Sequence, residues 1–283
     1  MASSRSRGIG AGVVLVIVLV IAALAITTAR HFAPLLRGSG CLVHGRSYDV
    51  PLTTGQAGIA ATIAGVARHQ AMPVRAVTIA YATALQESKL QNLSYGDLDS
   101  VGVFQQRPSQ GWGTRKQLLD PVYASSRFFG ALAHVPGYRH LYIYQAAQAV
   151  QRSADGYAYS QYASQGAEMA AGFSGHAARD VWCWYGAGVA KHARLAAASR
   201  ELTRTFGPLQ LSRAGDPVAL VQVRRPSAGW AVAAWLVTHA GGYGIATVRF
   251  GGYQWTAARG QKGWIRYLSR GHRPAASGTV AFG

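Results

Sequence analysis

Residues 80 to 113, AYATALQESKLQNLSYGDLDSVGVFQQRPSQGWG, decide how the rest of the chain is read. A run rich in small apolar residues ends in Glu87-Ser88, a Gly/Asp turn follows, and then comes Gly102-Val103-Phe104-Gln105-Gln106. Pro73 suits the first turn of a helix, and VRAVTIAYATALQESKL continues it to about Leu90, which places Glu87 in the last turn. Only three glutamates occur in the chain, Glu87, Glu168 and Glu201. Glu87 shares a helical stripe with Val77, Ala80 and Ala84 at spacings of three and four. Desolvation on such a stripe favours the protonated carboxyl and raises its pKa, which is what a proton donor near neutral pH needs. Glu87 is therefore the candidate catalytic acid. Residues 91 to 113, with Gly96, Asp97, Asp99, Pro108 and Gly111, read as a loop leaving a rigid helix, a common place for function.

Composition bounds the setting. The chain has 283 residues, a net charge of +18 and 49% hydrophobic residues, with a mean hydropathy of +0.08. That is enough for an enzyme-sized core plus a smaller region, and it excludes a disordered chain. The charge implies an anionic neighbour. The arginines are scattered with no nucleic-acid motif, so an anionic wall polymer or lipid headgroup fits and nucleic acid is not expected. Residues 8 to 29, GIGAGVVLVIVLVIAALAITTA, carry no charge and are long enough for one membrane-spanning helix. The expectation is an uncleaved anchor with the bulk of the chain outside the cell, and a cleaved, secreted form as the alternative. Cys41 and Cys183 both follow that segment, which suits one disulfide in oxidising surroundings, or two unrelated buried thiols.

Outward from the central stretch, 55 to 70 places Ile59, Ile63 and Val66 at helical spacing before Met72-Pro73 breaks it. Residues 114 to 133 and 141 to 152 read as helices, 157 to 172 as helix or loop and helix, and 189 to 205 as a connecting helix. Beyond Gly207-Pro208 a helix from Trp230 to Ala240 precedes alternating stretches at 245–250, 253–256, 264–268 and 279–282. This last region holds nine Lys and Arg against a single acid, Asp216, and is a candidate for docking on an anionic wall polymer. No histidine spacing suits a metal, no phosphate loop is present, and neither cysteine has a catalytic histidine partner, so no metal or cofactor is expected. Glu168 reads as a surface carboxylate.

Glu87-Ser88 at a helix end, followed by Gly102-Val103-Phe104-Gln105, resembles the lytic transglycosylase and goose-type lysozyme superfamily. The run from Cys41 to Cys183 is most similar to membrane-anchored lysozyme-like proteins of actinobacterial cell envelopes. The resemblance implies a mainly α lysozyme-like domain, preceded by one transmembrane helix and followed by a small α+β domain. The expected boundaries are a tail at 1–7, the anchor at 8–30, a stalk at 31–40, the lytic domain at 41–190, a connecting helix at 191–207 and the basic module at 208–283. It implies cleavage of the MurNAc-GlcNAc bond of peptidoglycan strands, with Glu87 as the acid and then the base. Ser88 would support the carboxyl or the local backbone, Gly102 would admit a sugar, Gln105 would bond it, and Phe104 would line the cleft. The chain departs from the family where an Ala-Tyr-Asn segment brings a tyrosine to the catalytic glutamate. Here the nearest match is Ala146-Ala147-Gln148-Ala149, so Gln148, Gln151 or Tyr144 is expected to take that bond. A hydrolase would need a second carboxylate, for which Asp97 and Asp99 are the candidates. The alternative to an enzyme is a binding or scaffolding protein that keeps the cleft without its chemistry.

Overall fold

The computed structural model describes residues 12, 16–19, 38–153, 156–186, 189–190, 192–215, 218–267 and 278–283. The structure starts from a three-stranded antiparallel sheet in the order β2-β1-β3, made of β1 (Ser39–Val43), β2 (Val50–Leu52) and β3 (Val181–Tyr185). Cys41 and Cys183 are directly paired across β1 and β3 with Cα atoms 3.9 Å apart, and a disulfide joins them. It joins residues 142 positions apart in sequence, so the segment that carries Glu87 begins and ends at one covalent point.

Within that closure lie α1 (Thr54–His69), α2 (Val74–Ser88), a short α3 (Arg115–Leu118), α4 (Pro121–Ala133), α5 (Ile143–Gln151) and α6 (Ala163–Phe173). Local chemistry sets these bounds. Thr53 and Gln56 form a reciprocal capping box at the start of α1. The single helix expected over 114 to 133 is two, because Asp120 caps a new start at Val122 and Pro121 occupies its first turn. α2 is buried along almost its whole length, packs against α1, α4, α5 and α6, and is pinned to α1 by Tyr81, whose hydroxyl donates to the Ala60 carbonyl at 2.7 Å.

After α7 (Leu195–Phe206) come β4 (Gln210–Arg213), β5 (Ala219–Gln222), α8 (Pro226–Tyr243), β6 (Thr247–Phe250), β7 (Tyr253–Thr256), β8 (Ile265–Arg266) and β9 (Thr279–Phe282). The strands form a six-stranded antiparallel sheet in the order β4-β5-β9-β6-β7-β8. α8 is apolar or small on every side, and accordingly it is buried between α1 and the sheet, against β6, β9 and β3. Trp255 and Trp264 donate their indole N–H groups to the Cys183 and Val181 carbonyls, each at 2.8 Å, tying the sheet region to β3. One hydrophobic core runs from β1 to β9.

Two expectations are corrected. The mainly α lysozyme-like description with a minor α+β appendage understates the sheet, which has six strands. β4 and β5 precede α8, and the C-terminal β9 inserts between β5 and β6. β4 gave no signal because its residues, QLSR, are exposed throughout and show no apolar alternation. The transmembrane helix, and with it the single-pass placement, is corrected too: among the described residues no helix is long and apolar enough to cross a membrane. The anchor expected at 8–30 and the stalk up to residue 37 lie almost wholly outside the described residues.

Candidate functional site

α2 ends where Lys89 and Leu90 turn into the left-handed region, with φ of 55° and 57°. The chain thereby leaves the helix sharply just after Glu87. Ser88 holds this corner. Its Oγ donates toward the Ala84 carbonyl at 3.1 Å and the Val103 carbonyl at 2.7 Å, and accepts from the Gln91 amide at 3.2 Å. The helix end and the 101–106 turn are thus one unit. That turn is closed by Val101 and Gln106, paired antiparallel, and by the Gly102 amide donating to the Leu93 carbonyl at 2.7 Å. Gly102 has φ +80°, and a Cβ there would lie 2.3 Å from the Leu118 carbonyl oxygen. Its lack of a side chain serves the packing of this turn on α3.

Glu87 is half-buried, and two neutral side chains hold it. The Tyr159 hydroxyl donates to Glu87 Oε1 at 2.6 Å, and Gln151 Nε2 donates to the same oxygen at 3.1 Å. Gln151 Nε2 also donates to the Phe104 carbonyl at 2.6 Å, so α5 joins the carboxyl to the 101–106 turn. Tyr159 lies in a 3-10 turn, Tyr157–Tyr162, which docks on the end of α2 through three pairs. Besides Tyr159 on Glu87, Gln161 donates to Gln86 at 3.2 Å, and Lys89 Nζ donates to the Tyr162 hydroxyl at 2.6 Å and lies over its ring. Among the described residues no cation forms an ion pair with Glu87. The carboxyl is thus oriented by neutral donors from two other elements.

The other residues singled out from the sequence have varied places. Phe104 is fully buried and stacks on Phe128 with ring centroids 4.5 Å apart, so its backbone carbonyl rather than its ring belongs to the Glu87 network. Gln105 turns onto its own loop, donating to the carbonyls of Gly102 and Tyr95 at 3.1 and 3.3 Å. Gln148 donates to the Ser153 carbonyl at 3.2 Å, and its side chain fills the space where a Cβ on Gly156 would sit. Of the three residues expected to replace the family's tyrosine, Gln151 reaches Glu87. Tyr144 instead stacks on Tyr142 and meets Tyr157 edge-on, in a cluster whose outer members, Tyr142 and Tyr157, are 70% and 71% exposed.

The acids of the loop behave differently. Asp99 accepts from Arg107 Nε at 2.7 Å, from the Ser109 amide at 2.8 Å and from the Ser109 hydroxyl at 3.0 Å. The Arg107 bond first, and the Ser109 amide next, hold its pKa down at about 2. Asp97 is exposed, and its carbonyl accepts from the Ser100 amide in a turn. Glu168 accepts the backbone amides of Arg46 and Ser47 at 2.8 and 3.1 Å, which lowers its pKa and stitches the β1–β2 loop to α6. Among the described residues no cluster of His, Cys, Asp and Glu could hold a metal ion.

Tyr159 is the contact to Glu87 that the sequence expectations lack. The available signal was YAYSQY, three tyrosines in the six residues before an apolar helix, where one ring is buried and its hydroxyl must find a partner. No protein-family model matches the sequence, and no curated protein matches it either.

Proposed function

We propose that this protein cleaves the MurNAc-GlcNAc bond of peptidoglycan strands as a lytic transglycosylase, with Glu87 as its one catalytic acid and base. The observation that carries the proposal is the Glu87 carboxyl at the end of a rigid helix, gripped by the neutral donors Tyr159 and Gln151. In the proposed reaction Glu87 gives its proton to the glycosidic oxygen as the C1–O bond breaks. The substrate's own N-acetyl group supports the positive charge at C1. The ionised Glu87 then takes the proton of the C6 hydroxyl as that oxygen bonds to C1, giving a 1,6-anhydro end and restoring the acid. Water is not consumed.

Tyr159 supplies the bond that residues 146 to 149 lack, and it arrives from a different element. The exposed Tyr142 and Tyr157 offer flat apolar faces of the kind on which sugar rings stack. Transglycosylation is favoured over hydrolysis because, of the two candidate second carboxylates, Asp99 is committed, with Arg107 and Ser109 engaging both of its oxygens, and Asp97 lies exposed in a turn. The test is to incubate the purified chain with peptidoglycan and determine the masses of the released fragments. Anhydro ends that disappear in Glu87→Gln support the proposal. Reducing ends would make the enzyme a hydrolase, and fragment release unchanged in Glu87→Gln would remove the catalytic assignment.

A further inference from the structure

On another part of the surface, where the end of α1 meets the start of α8, there is a cavity of about 370 Å3. Its floor is apolar, with Met72 and Val77, and its wall is cationic, with Arg68 and Arg225. Arg68 is half-buried in the last turn of α1 and donates from Nη2 to the Ser174 carbonyl at 3.1 Å and the Ser227 hydroxyl at 3.3 Å. Neither arginine forms an ion pair among the described residues, and no acid lines the cavity. Burial, and then the charge of Arg225, lower the pKa of Arg68, so two like charges face one site with nothing to balance them. Arg225 is exposed and Arg68 half-buried, so this repulsion is modest, and an anion entering the cavity relieves it.

Three further features point the same way. Ser174, 8% exposed and on the cavity wall, has a hydroxyl with no hydrogen-bond partner. α8, a helix of 18 residues, opens here with Arg225 at its N-cap, no capping side chain and no acid in its first turn, so its positive end is uncompensated. Gly175, at φ +72°, lets the Ser174 turn press against that first turn, since a Cβ there would lie 2.0 Å from the Ser227 carbonyl oxygen.

We propose that this pocket binds a small oxyanion, a phosphate monoester or a carboxylate, with Arg68 and Arg225 as its cationic ligands, the first turn of α8 behind it and its apolar substituent on the floor. The experiment titrates the full chain with inorganic phosphate and, separately, with acetate, at ionic strength matched with sodium chloride, following heat of binding. Saturable one-site binding is expected, and the tighter anion identifies the ligand class. Arg225→Gln removes a charge but no hydrogen bond of the structure, so in chloride it melts no lower than the wild type, yet its Kd rises by about tenfold or more. Arg224→Gln, at a likewise exposed neighbour that does not line the cavity, binds as the wild type does. The proposal is overturned if neither anion saturates, if Arg225→Gln binds like the wild type, or if Arg224→Gln loses as much as Arg225→Gln.

Discussion

Asp99 and Glu87 belong to one stretch of chain, yet the fold treats them as opposites. Asp99 meets a guanidinium, a backbone amide and a hydroxyl, all within its own turn, and is held as an anion to about pH 2. Glu87 meets a phenol and an amide, both brought from other elements, and no cation among the described residues. The carboxylate of Asp99 is tied to a cation and fixes a turn, whereas that of Glu87 is oriented by neutral donors and joins α2 to two other elements. The difference lies in what surrounds the two groups, since their chemistry is the same.

The contrast can be broken most sharply at Glu87. Glu87→Gln should lower the rate of glycan fragment release by about 10²–10⁴-fold, the usual worth of a positioned general acid, while Asp99→Asn leaves that rate within a few-fold of wild type. Equal losses in the two variants would erase the distinction. Tyr159→Phe comes next. It keeps the buried ring and removes the donated bond, so kcat should fall by about tenfold with KM little changed. Gln151→Ala should fall similarly but also loosen the 101–106 turn, because Gln151 holds the Phe104 carbonyl as well.

Smaller effects concern stability against pH, where Asp99 and a histidine have separate windows. His239 stacks on Trp235 with centroids 4.0 Å apart. Burial is the main cause of its pKa falling from 6.5 to about 4, against smaller opposing effects of the Trp235 carbonyl and Glu201. Below pH 6.5 the unfolded chain takes up this proton before the folded one does. The stability His239 contributes is therefore complete above pH 6.5 and is lost as pH falls toward 4. Denaturant melts of His239→Gln should be flatter over that interval. Asp99 follows the same sign lower down, its contribution being present above 3.8 and lost as pH falls through about 2. Asp99→Asn should flatten only that acid limb. A carbon-detected titration of the Asp99 carboxyl checks the same point, and a midpoint near 4 would remove the assigned role of Arg107.

Much of the helical frame was legible. Apolar residues recur at helical spacing from Ile59 to Val66, and Pro73 marks the start of the next run. The Asp120-Pro121 start inside 114 to 133 was legible too but was overrun by the longer pattern. The six-stranded sheet was only partly readable, because β4 is polar and exposed and β9 joins β5 and β6 from the far end of the chain. The apolar run at 8–29 reads as a membrane span from composition, and no described helix has that character. In the site, Glu87 and Ser88 stood out from spacing and resemblance. Gln151 was one of three residues named for the bond to Glu87, and Tyr159 was not among them.

Taken alone, the order of residues determined that a carboxyl would end a buried helix at position 87 and that a turn built on Gly102 would follow. Those are local matters of periodicity, capping and turn chemistry. Which groups would touch that carboxyl was decided by tertiary structure, because Tyr159 and Gln151 lie 72 and 64 residues away in sequence. They arrive only when α5 and the 157–162 turn pack on α2 within the segment that the Cys41–Cys183 bond closes. Hydrogen bonds over such separations depend on how buried faces fit together, and no short window of sequence carries that information.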